Sequence, residues 1–98
     1  MRVIEEEMLE AIKNLKNWSK DNTSVEILAS HPASSLTIVV KLHGNDIALI
    51  SGANKELTVF KHTLAEWPTV TTKSRLRALG ANVTTKKGVT YLDNIAVI

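Results

Sequence analysis

Lys73, Arg75, Arg77, Lys86 and Lys87 fall within the stretch from Thr71 to Asp93, which carries five of the chain's twelve Lys and Arg and one acid. Clustered cations of this kind neutralise phosphates and release their counterions, the sequence-independent part of nucleic-acid binding. Thr72 and Asn82 stand among them, and short hydroxyl and amide side chains beside Lys and Arg are types that contact phosphate oxygens. Lys73 and Arg77 are four residues apart and share one flank of a helix, whereas Arg75 lies roughly 200° round from Lys73. An arginine fork can bind guanine O6 and N7 together, so at most one of Arg75 and Arg77 is expected to read a base. Four to five neutralised phosphates correspond to a slope of log K against log salt of roughly −4 on duplex DNA. The competing reading is a solvated face, because lysines at a hairpin tip also keep a sheet edge soluble.

Other chemistries find less material. His31, His43 and His62 are dispersed, have no ligand partner at metal-binding spacing, and there is no cysteine, so no metal site is expected. The chain has no GxSxG elbow, no phosphate-loop lysine and no GxGxxG turn. Glu26, Glu56 and Glu66 are isolated carboxylates. A domain of this size seldom has volume to spare for a shaped pocket. The expectation is a protein that is not an enzyme, with no catalytic residue and no cofactor.

The elements that must position the cations come from 98 residues, read as a single domain over 1–98. Net charge is +2, but its distribution is uneven. Residues 1–22 hold four Lys/Arg and five Asp/Glu, residues 23–70 three and four, and residues 71–98 five and one. The last third is therefore +4, the form an electrostatic footprint for phosphate takes. The lack of cysteine suits a reducing compartment. No apolar run reaches the 18 or so residues of a membrane span, and the acidic start MRVIEEEMLE lacks a signal-peptide core, so a cytoplasmic protein is expected.

Ile4, Met8, Ala11, Ile12, Leu15 and Trp18 form one helical stripe, which predicts a helix ending at Asp21-Asn22. Glu5, Glu6 and Glu7 at its start match the helix dipole and are read as nothing more. From Thr23 the period changes to two. TSVEILA, LTIVVKL, DIALIS and ELTVFKH read as four strands with short connections, hence an antiparallel meander. SHPASS is a loop, and LAEWP closes the sheet. Thr71 or Thr72 caps a short helix that Gly80 ends. A hairpin follows, with Lys86 and Lys87 in a type I turn and Gly88 in a G1 bulge, which sets Thr85 opposite Val89 and Val83 opposite Tyr91. NIAVI is a last short strand or packed tail. The class is α+β: an N-terminal helix, a four-stranded antiparallel meander, a short helix and a wing-like C-terminal hairpin. The expected core comprises Ile4, Met8, Ile12, Leu15, Ile38, Val40, Leu49, Val59, Leu76, Leu79, Val83 and Tyr91.

TVTTKSRLRALGANVTTKKGVTYLD resembles a C-terminal pattern of small bacteriophage proteins, in which a TTKSRLNALG-like helix leads into a hairpin ending YLD. The resemblance rests on Thr71, Thr72, Arg75, Leu76, Ala78, Leu79, Gly80, Val83, Lys87, Gly88, Tyr91 and Leu92, about a quarter of the chain, and Arg77 departs from a frequent Asn. More loosely, LRALG, KKG and YLD are similar to the double-wing DNA-binding domain of MotA-type phage transcription activators. The similarity to the double-wing domain implies a DNA-binding regulatory protein, and the phage pattern, which carries no activity of its own to transfer, implies the cytoplasm of an infected bacterium. Nucleic acid is the expected partner, DNA ahead of RNA, for a monomer or homodimer. The alternative is a phage protein that binds and inhibits a host enzyme or defence factor. Trp18 and Trp67, each beside a change of chain direction, are its candidate protein contacts.

Overall fold

The computed structural model describes residues 3–29, 36–51 and 56–97. His31 and Pro32, assigned above to a loop, and the connection at residues 52–55 lie outside these. Helix α1, Val3–Lys13, has Glu5 and Glu6 in its first turn and Lys13 in its last, as the dipole favours. It stops earlier than the apolar stripe predicts. Leu15 turns left-handed (φ 53°), its N–H donates to Ile12 O at 3.2 Å, and Lys16 N–H donates to Ala11 O at 2.9 Å. This is a Schellman closure with leucine at the position glycine prefers. Leu15 is consequently 47% exposed instead of in the core.

The released segment becomes strand β1, Trp18–Lys20, at the edge of a five-stranded sheet. Asp21 and Asn22 (φ 48° and 67°) turn the chain into β2, Thr23–Ala29. Two consecutive positive φ values mark a two-residue type I′ loop, whose twist matches that of the strands it joins. The sheet continues through β3, Leu36–Leu42, β4, Asn45–Ser51, and β5, Leu57–Val59, each antiparallel to its predecessor. The meander thus has five strands, not four. A bulge interrupts the β3–β4 register, which passes from Val40↔Ala48 to Lys41↔Asp46. Ile47 is the extra residue, and its carbonyl accepts from Phe60 N–H at 3.1 Å. Ile47 and Ala48 are both buried as a result.

The last predicted strand ends at Val59, and Lys61–Glu66 forms helix α2 with Leu64 buried. Trp67 precedes Pro68, a position biased against helical backbone, which ends α2. Helix α3, Val70–Ala78, is capped by Thr69, whose Oγ accepts from Thr72 N–H at 3.1 Å. The cap lies two residues before the earlier of the two expected positions. Gly80 (φ 103°) ends α3: its N–H donates to Arg77 O and Ala81 N–H donates to Leu76 O, each at 3.0 Å. This closure matches that of α1 but without the side-chain penalty.

A three-stranded sheet completes the chain, with β6, Val83–Lys86, β7, Val89–Leu92, and β8, Ile95–Ala96. The β6–β7 loop is the type I′ pair Lys87-Gly88 (φ 50° and 80°), not the expected bulged turn. Lys86 therefore faces Val89, and Val83 faces Leu92. The one-residue shift sends Tyr91 to the face of Thr84 and puts Thr90 and Leu92 inside. One hydrophobic cluster draws on both sheets and on α1, α2 and α3, with Met8, Val25, Val40, Leu64, Leu76 and Val83 among its members. The architecture is α+β. No described helix is long and apolar enough to cross a membrane.

Candidate functional site

Arg75 is not on the surface. Its position on α3 adjoins Leu76 and points inward, leaving it 4% exposed. Its Nη1 lies 2.7 Å from Glu5 Oε2, and its Nε donates to Thr23 Oγ at 3.1 Å. Glu5, 3% exposed on α1, also accepts from Ser74 Oγ. A buried charge persists only where it is paired and hydrogen-bonded, and here α1, β2 and α3 supply the partners. The expectation that Arg75 contacts phosphate is thereby corrected, because the guanidinium is committed to the core. Glu5, read from the sequence as a dipole residue, is the missed partner. The available signal was its place on the same stripe as Met8 and Ile12.

The other four cations remain near the surface, and α3 and β6 organise them. Lys73 Nζ donates to Thr85 Oγ at 2.7 Å, and Arg77 Nε donates to Val83 O at 2.7 Å. The helix and the edge strand are thus joined at two levels, two residues apart on β6. Lys86 follows Thr85 at once, and Lys87 forms the exposed tip. From the level of Val83 to Lys87 is four strand residues, or about 14 Å. Arg77, Lys73, Lys86 and Lys87 mark successive levels along that edge. Side chains alternate across a strand, so Lys86 shares the outer face of Thr84 and Tyr91 while α3 lies against the face of Val83 and Thr85. Among the described residues no acid forms an ion pair with any of these four cations. With Arg75 removed, the segment offers four exposed or half-exposed cations against Asp93.

The neutral residues divide. Thr72 is 2% exposed and its hydroxyl lies 2.9 Å from that of Thr69, so its expected role as a donor to phosphate is also corrected. Asn82 is exposed just before β6, and its carbonyl accepts from Asp93 N–H at 2.9 Å. Trp18 is half-buried and packs against the core, whereas Trp67 is 53% exposed. Trp67 borders a cleft of about 410 Å³ between the β3–β4 turn and the start of α3. His43 sits in that turn, and His62 pairs with Glu66 at 2.9 Å on the surface of α2. Among the described residues no group of three His, Asp or Glu stands close enough to hold a metal ion.

No curated protein and no solved structure matches this chain. The family model of the Kyanoviridae Gp96 protein matches residues 1–97. That span takes in all the described residues. The chain is a small phage protein and belongs to the Kyanoviridae Gp96 protein family.

Proposed function

We propose that this protein binds nucleic acid, DNA ahead of RNA, through the basic edge formed by α3 and the β6–β7 hairpin, as a non-enzymatic regulatory protein in the cytoplasm of the infected cell. The observation that carries the reading is the double tie of Lys73 to Thr85 and Arg77 to Val83. It makes helix and hairpin a single support, which holds Lys73 and Arg77 in place before any ligand arrives and fixes the strand that carries Lys86 and Lys87. A row of about 14 Å faces on the order of four phosphates, taking 3.4 Å per phosphate along one strand. A hairpin beside a helix is also the arrangement of a wing, which agrees with the resemblance to double-wing phage activators. Backbone contacts of this kind set position and affinity, and of the two arginines Arg77 is the one that stays at the surface.

The test is binding of a labelled duplex by the parent, by Lys86→Ala/Lys87→Ala and by Lys13→Ala/Lys16→Ala. The second pair removes the same charge from the end of α1 and beyond it. The hairpin pair is expected to weaken binding strongly and the α1 pair weakly. Equal losses would mean that only net charge matters, and the basic edge would lose its role.

A further inference from the structure

The cleft beside Trp67 is chemically unlike the basic edge. Leu42 and Ile47 give it an apolar wall, and His43, Asn45 and Thr71 bring polar groups to its margin. Among the described residues no Lys, Arg, Asp or Glu lines it. Its volume of about 410 Å³ falls within the range of small-molecule sites. Trp67 lies at its border with half of its surface free.

We propose that this cleft takes an unpaired nucleobase stacked on Trp67, so that the protein prefers single-stranded nucleic acid or an extruded base. The inference rests on the nucleic-acid reading and narrows it. A nucleotide has a flat, uncharged base and an anionic phosphate, and the surface offers a matching pair of environments. The base meets an indole, with amide and hydroxyl groups at its edge. Thr72 lines the cleft, and Lys73 is the next residue of α3, about 1.5 Å further along the helix axis and about 100° round. Val70, 72% exposed, shares the flank of Lys73 and Arg77 at helical spacing and lies about 100° round α3 from Thr71, so a strand leaving the cleft passes round the start of the helix to reach the cations. A free phosphate finds no cation in the cleft to bind. Paired bases in a duplex stack on one another and have no face to present, which is why the ligand must be unpaired. Stacking on aromatic side chains is how sequence-tolerant single-strand binders hold bases.

The test compares a poly-dT strand of about 12 nucleotides, an abasic strand of the same length and a duplex, titrated against the parent, Trp67→Ala and Trp67→Phe. The parent is expected to bind poly-dT more tightly than the abasic strand. Trp67→Ala should lose about 5- to 100-fold on poly-dT and little on the abasic strand, while Trp67→Phe recovers most of the loss. In a Trp18→Phe background, poly-dT should quench the remaining tryptophan fluorescence. Trp67→Ala binding poly-dT as the parent does, or unquenched Trp67, would overturn the proposal. If all three nucleic acids bind the parent equally with strong salt dependence, the basic edge stands and the cleft falls. If none binds at low salt, both readings fall. A parent dimer that Trp67→Ala dissociates would assign the surface to a second copy of the chain and overturn base stacking.

Discussion

Arg75→Met is the most informative single change to the fold. It keeps the aliphatic part of the side chain and removes the guanidinium. Glu5, a 3% exposed carboxylate, then loses the guanidinium nitrogen at 2.7 Å while Ser74 still donates to it, and Thr23, fully buried, loses the Nε–H that it accepts. Removing one partner of a buried pair costs about 3–5 kcal/mol, because the other charge stays buried with that counter-charge gone. A domain of this length has about 5–15 kcal/mol in all. Each kcal/mol shifts the midpoint by about 4–8 °C at this size, so Tm should fall by at least ~12 °C. Circular dichroism during heating and urea unfolding both measure this. Glu5→Leu/Thr23→Val/Arg75→Met replaces the ion pair and the Thr23 hydroxyl with apolar groups and should regain most of the loss, since apolar replacement of a buried pair is often neutral or better. An Arg75→Met protein with the parent's midpoint would refute the reasoning. It would mean that Arg75 faces solvent and that the basic edge has a fifth cation.

Lys87→Asn separates stability from charge. Lys87 holds φ 50° in the type I′ loop before Gly88, where Asn is favoured, so the variant should unfold a few tenths of a kcal/mol later while binding duplex DNA more weakly. Gly80→Ala should cost about 1–2 kcal/mol in urea unfolding through its φ of 103° alone, because no atom lies within 4 Å of an added Cβ. Thr69→Ala removes the α3 cap and strips the buried Thr72 hydroxyl of its partner, a loss of about 1–2 kcal/mol in the same measurement.

Periodicity made the central strands legible. LTIVVKL alternates through residues that pair across β2 and β4, and the α+β class followed from helices standing apart from an antiparallel meander. The end of α1 was not legible, because Leu15 and Trp18 happen to continue its stripe while the backbone closes at a leucine in a left-handed conformation. Asp21-Asn22 looked like a helix stop and is a hairpin loop. The sequence reads as a type I turn at Lys86 and Lys87 with a bulge at Gly88, whereas the two-residue Lys87-Gly88 loop shifts every β7 side chain by one face. The cations themselves were visible as a cluster, but local spacing cannot reveal that one of them pairs 70 residues away. Arg75 beside Leu76 and Glu5 beside the Met8 stripe each looked like a charge near an apolar face. Only the tertiary contact between α1 and α3 brings the two together and separates Arg75 from the four cations that stay outside.

The salt dependence of duplex binding tests the central claim most directly. Four phosphate contacts, from Lys73, Arg77, Lys86 and Lys87, at about 0.9 each give a log–log slope of about −3.6 for the parent. Lys86→Ala/Lys87→Ala should bring this to about −1.8. A parent that does not bind duplex at low salt, or a double variant that keeps the parent's slope, would contradict the account.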